Sequence, residues 1–275
     1  MVLSQCNRLQ ELQFALDCGL SPTIDTFFTQ TDRFISLQVL DILLIKTDSL
    51  LFTIRMVQAI RSQDFQKFHL DISTPYAPAE IYKLLCAVGT HKRLRSLRLS
   101  SITSINKGIV LPNETIEPSF QLFDLVKFEM RGLPLRLGLT KELLGRMAQS
   151  WSDISSLEYH SGLSLQETTS LPTFDITYLE TLANLCPKLK KLSIPFSSTL
   201  NGDITQDLHF QDLYLPAQRA SAIPLTLDVS QCTIVSKMAA ALYLTRLYPQ
   251  LRIFPYPEEW KEKIRLRGGM GILEV

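Results

Sequence analysis

The chain has 275 residues, of which 45% are hydrophobic and 20% charged, and its 28 Lys and Arg residues nearly balance its 27 Asp and Glu residues. This composition excludes a largely disordered protein. The near-neutral charge provides no long-range field toward nucleic acid or an anionic membrane, and no apolar stretch reaches the roughly 20 residues that a membrane-spanning helix needs. Five scattered cysteines predict reduced thiols and therefore a cytoplasmic or nuclear protein.

An apolar pattern, apolar-x-x-apolar-x-apolar, recurs nine times along the chain, with starts 27 to 35 residues apart. The mean spacing of about 30 residues lies at the upper edge of the leucine-rich-repeat period. Each occurrence predicts a strand with its apolar side chains facing inward. The predicted inward triplets are Leu9, Leu12 and Phe14; Leu37, Leu40 and Ile42; Phe65, Phe68 and Leu70; Leu94, Leu97 and Leu99; Leu125, Phe128 and Met130; Ile154, Leu157 and Tyr159; Leu189, Leu192 and Ile194; Pro224, Leu227 and Val229; and Leu251, Phe254 and Tyr256.

The segments between these strands carry helical patterns. A helix is predicted from Pro78 to Gly89, and another follows Thr140, which suits its N-cap. Thr177 and Glu180 have the spacing of a capping box, and a further helix follows Ser236. The four predicted apolar stripes are Ile81, Leu84, Leu85 and Val88; Leu144, Met147, Ala148 and Trp151; Leu179, Leu182, Ala183 and Cys186; and Ala240, Tyr243, Leu244 and Leu247.

Alternating strands and helices also describe a doubly wound nucleotide-binding fold. Strands of that fold are buried on both faces, whereas the residues between the apolar positions are mostly polar here, and no Gly-rich turn follows a strand. We therefore predict an α/β leucine-rich-repeat solenoid (a horseshoe) of about nine strand–helix repeats with a parallel concave sheet. The predicted domain spans 1–256, with irregular loops near 100–118 and 197–216, and 257–275 form a C-terminal cap and tail with a short helix from Glu258 to Arg267.

The links from helix to strand carry a second motif. Leu185-Cys186-Pro187-Lys188-Leu189 matches Leu247-Tyr248-Pro249-Gln250-Leu251, and each precedes a strand. This motif resembles fungal F-box proteins with degenerate leucine-rich repeats. The resemblance implies repeats that hold a substrate for a cullin-RING (SCF) ubiquitin ligase, while an F-box docks the ligase adaptor. No F-box is found in this chain, because the nearest match, Leu111 to Glu114, lies between two repeats and is followed by Pro118. The adaptor and cullin are therefore expected as partners only if an F-box lies outside this chain.

Catalytic, cofactor-binding and metal-binding residues are not predicted. The four histidines lie far apart, without metal-ligand spacing, and no phosphate loop or activated nucleophile motif is present. Cys6, Cys86 and Cys186 are predicted to face the core, where thiols act as small hydrophobic groups. The segment Arg265–Gly269 matches the tail of ubiquitin, but no ubiquitin-like sequence precedes it, so we interpret it as a Gly-rich tail.

A protein partner is predicted on the concave face. Its candidate contact residues flank the strand leucines: Lys67, His69, Arg98, Lys127, Glu129, Glu158, Lys191 and Asp228. Their mixed charges favour a protein over nucleic acid. Two hypotheses follow, a substrate-recognition region of an F-box-type ubiquitin ligase subunit, and a scaffold or adaptor protein unconnected to ubiquitination. An enzyme on a doubly wound fold is a third.

Overall fold

The structure, a computed structural model, describes residues 10–16, 40–101, 112–133, 140–161, 174–197, 223–230, 232 and 237–254. The chain divides into two compact units, Met1–Gly138 with Ser161–Thr168 and Leu139–His160 with Thr169–Val275. The domain boundary at residue 256, the predicted cap and most of both irregular loops lie outside the described residues. Within those residues, no helix has the length and hydropathy to cross a membrane.

Among the residues that the structure describes, the first unit contains five parallel strands whose order in the sheet is their order in the chain. Helix α1 follows β2, helix α2 follows β3, and the two helices contact each other. Two short 3₁₀ helices, Asn113–Thr115 and Glu117–Gln121, contact α2. The elements are β1 (Glu11–Leu16), β2 (Ile42–Thr47), α1 (Leu50–Ala59), β3 (Lys67–Ile72), α2 (Pro78–Val88), β4 (Ser96–Ser101) and β5 (Lys127–Leu133).

In its described part, the second unit repeats this α/β arrangement with four parallel strands, in the order β6, β8, β10 and β11. Helix α4 contacts both α3 and α5, and a 3₁₀ turn, Ile176–Tyr178, precedes α4. Strands β7 and β9 form a separate two-stranded sheet. The elements are α3 (Lys141–Ser150), β6 (Ser156–Ser161), β7 (Phe174–Asp175), α4 (Leu179–Leu185), β8 (Lys191–Ser193), β9 (Phe196–Ser197), β10 (Leu225–Asp228), α5 (Lys237–Leu247) and β11 (Leu251–Phe254).

One hydrogen-bond pattern recurs where the strands begin. Two successive amides, those of Asp41 and Ile42, donate to the carbonyl oxygen of Gln10 at 2.8 and 2.9 Å. The same two-to-one pattern leads into β3, β4, β5 and β8. The accepting carbonyl oxygens there are those of Asp41, Gln66, Arg95 and Ser155. The backbone therefore repeats at the period of the sequence pattern.

Strands β3 and β4 have one buried face and one polar face. Phe68, Leu70, Leu97 and Leu99 are fully buried, and the residues that alternate with them are polar. The predicted stripe of α2 (Ile81, Leu84, Leu85 and Val88) is fully buried too. Because side chains alternate along a strand, this burial leaves the polar residues of β3 and β4 on the opposite face.

The predicted second triplet is wrong by three residues. Leu40, Leu43 and Ile45 occupy the buried positions, and Leu43 pairs in register with Phe68. Ile42, which was predicted to face inward, pairs with Lys67 and is only half-buried. The predicted Leu37 lies outside the described residues. The pairing between strands, rather than the apolar spacing alone, determines which residues are buried.

The eighth and ninth triplets also need correction. Pro224 is exposed, and Leu225 is fully buried instead. In β11 the buried residues are Leu251 and Ile253, because Ile253 pairs with Leu227 in register. The predicted ninth strand is therefore displaced by one residue, which exchanges its two faces.

The predicted helix starts had two outcomes. The Thr140 hydroxyl accepts a hydrogen bond from the Leu143 amide at 3.2 Å, which confirms this N-cap. The capping box at Thr177 and Glu180 is wrong, because Thr177 lies in the 3₁₀ turn that precedes α4. The carboxylate of Asp175 accepts the Thr177 amide hydrogen bond at 2.8 Å and caps that turn.

Of the three cysteines that are predicted to face the core, one is buried, one is exposed and one lies outside the described residues. Cys186 is buried, and burial raises the pKa of its thiol to about 12. Cys86 is exposed, so its prediction is wrong: it lies on α2 outside the buried stripe that Ile81, Leu84, Leu85 and Val88 form. Cys6 lies outside the described residues. The burial of Cys186 agrees with a structural thiol that is not reactive at neutral pH.

Candidate functional site

The polar face of the first unit brings five of the eight predicted contact residues together. Strand pairing aligns His69, Arg98 and Glu129 in one row across β3, β4 and β5. Lys67 and Lys127 lie in the neighbouring row, on either side of Ser96. Both lysines are exposed, whereas the other three residues are half-buried. The structure thus places these five side chains on one continuous surface.

A depression of about 330 Å³ lies on this face. Its lining combines three apolar residues, Ala15, Leu44 and Ile45, with charged residues of both signs, and every lining residue belongs to a strand. The volume is at the lower end of the roughly 300–1,000 Å³ that is usual for ligand pockets. The lining residues are Gln13, Ala15, Leu44, Ile45, Lys46, His69, Asp71 and Arg98.

Two of the site residues in β2 were missed. Leu44 is half-buried and pairs with His69, and Lys46 is exposed and pairs with Asp71. With the second triplet placed at Leu40, the alternation along β2 would have put both on the polar face. The error in the predicted register therefore also hid the apolar part of the depression.

Ion pairs organise the edge of this site. Glu129 lies between two guanidinium groups: Arg131 Nε is 2.5 Å and Arg98 Nε is 3.4 Å from its Oε1 atom. The Ser100 hydroxyl donates a hydrogen bond to the Asp71 carboxylate, and His69 Nε2 lies 3.3 Å from Ser96 Oγ. The Glu129 carboxylate thus pairs with two cations, and Lys67 and Lys127 in the neighbouring row add further positive charge to this face.

His69 is held in its neutral form. Burial lowers the pKa of His69 below its usual value of 6.5, and the nearby charge of Arg98 lowers the pKa further. The carboxylates of Glu129 and Asp71 oppose this shift without cancelling it. At neutral pH the His69 ring therefore contributes a hydrogen-bond donor and acceptor to the site without a charge.

A second histidine has the same preference for the neutral form. His91 donates a hydrogen bond from Nε2 to the Val57 carbonyl oxygen at 3.0 Å and packs edge-on against Phe65, with ring centroids 4.9 Å apart. Burial lowers the pKa of His91, and its hydrogen bond to Val57 only partly opposes this. The unfolded chain would therefore take up protons on both rings at a higher pH than the folded chain does.

These two histidines predict a loss of stability in mild acid. The free energy of unfolding should fall between about pH 7.5 and about pH 5, because the unfolded state binds more protons over that range. In the double variant His69→Gln and His91→Gln, the fall should be smaller. Urea denaturation followed by circular dichroism at both pH values measures this. An equal fall in the two proteins would contradict the assignment.

The remaining three predicted contact residues lie in the second unit. Glu158 is buried, with 6% of its side chain exposed, and its Oε2 atom lies 3.0 Å from Lys191 Nζ. Ser156 donates a hydrogen bond to Glu158 Oε1 at 2.8 Å, and Ser193 donates one to Asp228 Oδ2 at 3.2 Å. Glu158 is thus mainly part of the internal network of this unit, while Lys191 is exposed to solvent.

The same network contains a serine and a histidine. Ser193 Oγ lies 3.5 Å from His160 Nδ1, and His160 Nε2 lies 3.7 Å from Glu158 Oε2. Both distances exceed the roughly 2.6–3.2 Å at which a general base takes up a proton, and the Ser193 hydroxyl points at Asp228 instead. The arrangement favours a polar network over an activated serine. Among the residues that the structure describes, no group of three His, Cys, Asp or Glu side chains is placed to hold a metal ion.

Comparison with known proteins adds no assignment. No protein-family model matches the sequence, and a search of curated proteins found no significant match.

Proposed function

We propose that the chain is a protein-binding module whose polar sheet face takes the partner. The observation that carries this proposal is the polar face of the first unit, where five predicted contact residues lie together and two of them, His69 and Arg98, line a depression with an apolar part. Interfaces combine a small apolar centre with a polar, charged rim, and Leu44 between Lys46, His69 and Arg98 has that composition.

The finer form of the proposal is a leucine-rich-repeat solenoid. Two observations support it. The strands within each unit follow chain order, and the pattern of two amides bonded to one carbonyl oxygen leads into β2, β3, β4, β5 and β8. A doubly wound sheet would reverse its strand order at a switch point. In this proposal the repeats have no reaction of their own, and the face that is opposite the helices binds a protein in the cytoplasm or nucleus.

We further propose that the module recognises substrates for an SCF-type ubiquitin ligase. The support for this step is the resemblance of the links at Leu185–Leu189 and Leu247–Leu251 to fungal F-box repeat proteins. In this proposal the adaptor and cullin bind through an F-box outside this chain, while the polar face holds the substrate. The alternative is a scaffold or adaptor protein without a ligase.

Affinity purification from native cells tests the proposed function. A tagged chain is compared with a Lys67→Glu and Lys127→Glu double variant, called the face variant, which reverses two exposed charges on the polar face. Recovery of the partner should fall about tenfold, which corresponds to about 1.4 kcal/mol. The matched control, Lys83→Glu with Arg93→Glu, reverses two exposed charges on α2 and on the turn before β4 and should keep the partner.

The proteins that copurify separate the two forms of the proposal. The ligase adaptor and a cullin among them support the ligase subunit. If the adaptor and cullin are consistently absent, but other proteins copurify with the wild-type chain and not with the face variant, the result supports the scaffold instead. If the face variant and the control recover the same proteins in equal amounts, the polar face is not the binding surface and the proposal fails.

A further inference from the structure

We propose that the depression over β1–β4 binds a peptide segment in which an acidic side chain adjoins a branched apolar side chain. This inference rests on the proposed function and names the chemistry of the partner at that face. Leu44 would receive the apolar side chain, and Lys46 and Arg98 would receive the carboxylate.

The apolar part of the site lies on a single strand. Ile42 and Leu44 both lie on the polar face of β2, and both are half-buried. Their neighbours in register are Lys67 and His69 on β3, and Glu11 and Gln13 on β1. Two adjacent aliphatic side chains among polar neighbours form a small apolar strip, which favours one branched side chain over a broad hydrophobic interface.

The charges around this strip are unbalanced. On the polar face of β1–β5, five cations accompany three carboxylates, those of Glu11, Asp71 and Glu129, although the whole chain has a net charge of only +1. Glu129 already serves Arg98 and Arg131, and the carboxylate of Asp71 accepts a hydrogen bond from Ser100. The cations are Lys46, Lys67, Arg98, Lys127 and Arg131. This excess is complementary to a negatively charged partner.

Lys46 and Arg98 both line the depression itself. Lys46 is exposed and forms no ion pair with any residue that the structure describes, whereas Arg98 shares its carboxylate with Arg131. A carboxylate bound between Lys46 and Arg98 would gain two charge-assisted contacts beside an apolar surface. Neutral His69, between Leu44 and Arg98 in the same row, would accept or donate a hydrogen bond to the peptide.

The shape of the site favours a peptide over a small molecule or a nucleic acid. Small ligands are usually buried over most of their surface, yet every residue that lines this depression lies on a strand of one sheet. Nucleic-acid grooves usually add aromatic side chains on which bases stack. On the polar face of β2–β5 the described residues include no Phe, Tyr or Trp.

Selection from a phage-displayed library of random dodecapeptides tests the inference. The full chain is the bait, and an Arg98→Glu variant is used for counter-selection. Selected sequences should be enriched in Asp or Glu next to Leu, Ile or Val. Fluorescence anisotropy with the most enriched peptide should then give a Kd that rises about tenfold or more in Lys46→Glu and in Arg98→Glu, and that rises with added salt because exposed charges are screened.

The exposure of Lys46 and two further variants keep the test decisive. Lys46 is exposed, so Lys46→Glu retains the fold even if Arg98→Glu, which places a carboxylate near Glu129, does not. Leu44→Ser should weaken binding, and Lys83→Glu on the outer side of α2 should leave the Kd unchanged. Enrichment of basic or purely apolar peptides overturns the inference, as does equal binding by wild type and Lys46→Glu, or tighter binding of a single-stranded oligonucleotide than of the selected peptide.

The two proposals fail separately. If no peptide is enriched while the cell-derived partner is still lost by the face variant, the peptide chemistry is wrong and the binding function stands. If the partner is retained by the face variant as well, both fail.

Discussion

Replacing Gly132 with alanine should lower the free energy of unfolding by about 3 kcal/mol. Gly132 lies in β5 with a φ of 63°, a left-handed conformation that residues with a side chain adopt at a cost. A Cβ atom there would also collide with the backbone carbonyl oxygen of Ser101 on β4. Because the obstructing atom belongs to the backbone of a paired strand, it cannot move aside as a flexible side chain would. Urea denaturation followed by circular dichroism measures the loss.

Gly145 offers a matched control for this change. It lies within α3, and a Cβ atom at this position meets nothing within 4 Å. Alanine is favoured over glycine inside a helix, so Gly145→Ala should raise the free energy of unfolding by about 0.5–1 kcal/mol. The same substitution should therefore have opposite signs at the two positions. Equal effects would contradict the close approach between β4 and β5.

The positions of most strands could be predicted from the sequence because polar residues separate the three apolar residues of each triplet. Phe65, Phe68 and Leu70 are separated by polar residues, so only one reading of the pattern fits. The second repeat differs, because Leu40 to Ile45 is almost continuously apolar and contains two overlapping readings. The spacing of apolar residues fits both readings, whereas the backbone pairing of β2 with β3 determines which one is correct. A dense apolar segment therefore limits the prediction of register.

The candidate site was predicted in part for the same reason. His69, Arg98 and Glu129 alternate with well-separated leucines and other apolar residues, so their common face follows from the period of a strand. Leu44 and Lys46 depend on the register of β2, and the depression depends on how four strands align. Glu158 on β6 forms an ion pair with Lys191 on β8, a contact that joins two strands. Such contacts between strands are not encoded in the local pattern.

Replacing Trp151 with alanine should lower the free energy of unfolding of the second unit by about 3–5 kcal/mol, the usual cost of removing a large buried aromatic side chain. Trp151 is 1% exposed and is the largest fully buried side chain among the residues that the structure describes. It also ends α3: its amide donates to the Met147 carbonyl oxygen at 2.9 Å, and its own carbonyl oxygen accepts from the Ile154 amide at 3.0 Å. The indole therefore packs at the link that leads into β6.

A smaller and a surface substitution separate packing from general sensitivity to mutation. Trp151→Phe keeps an aromatic ring and should cost less than the alanine variant, because a smaller cavity remains. Phe123→Ala removes a side chain that is 62% exposed and should change the free energy of unfolding by no more than about 0.5 kcal/mol. Chemical denaturation of all three variants gives the ranking. If Trp151→Ala and Phe123→Ala unfold at the same urea concentration, Trp151 does not hold the link in place. Because that link leads into the strand of Glu158, the polar network around Glu158 should be lost together with the packing of Trp151.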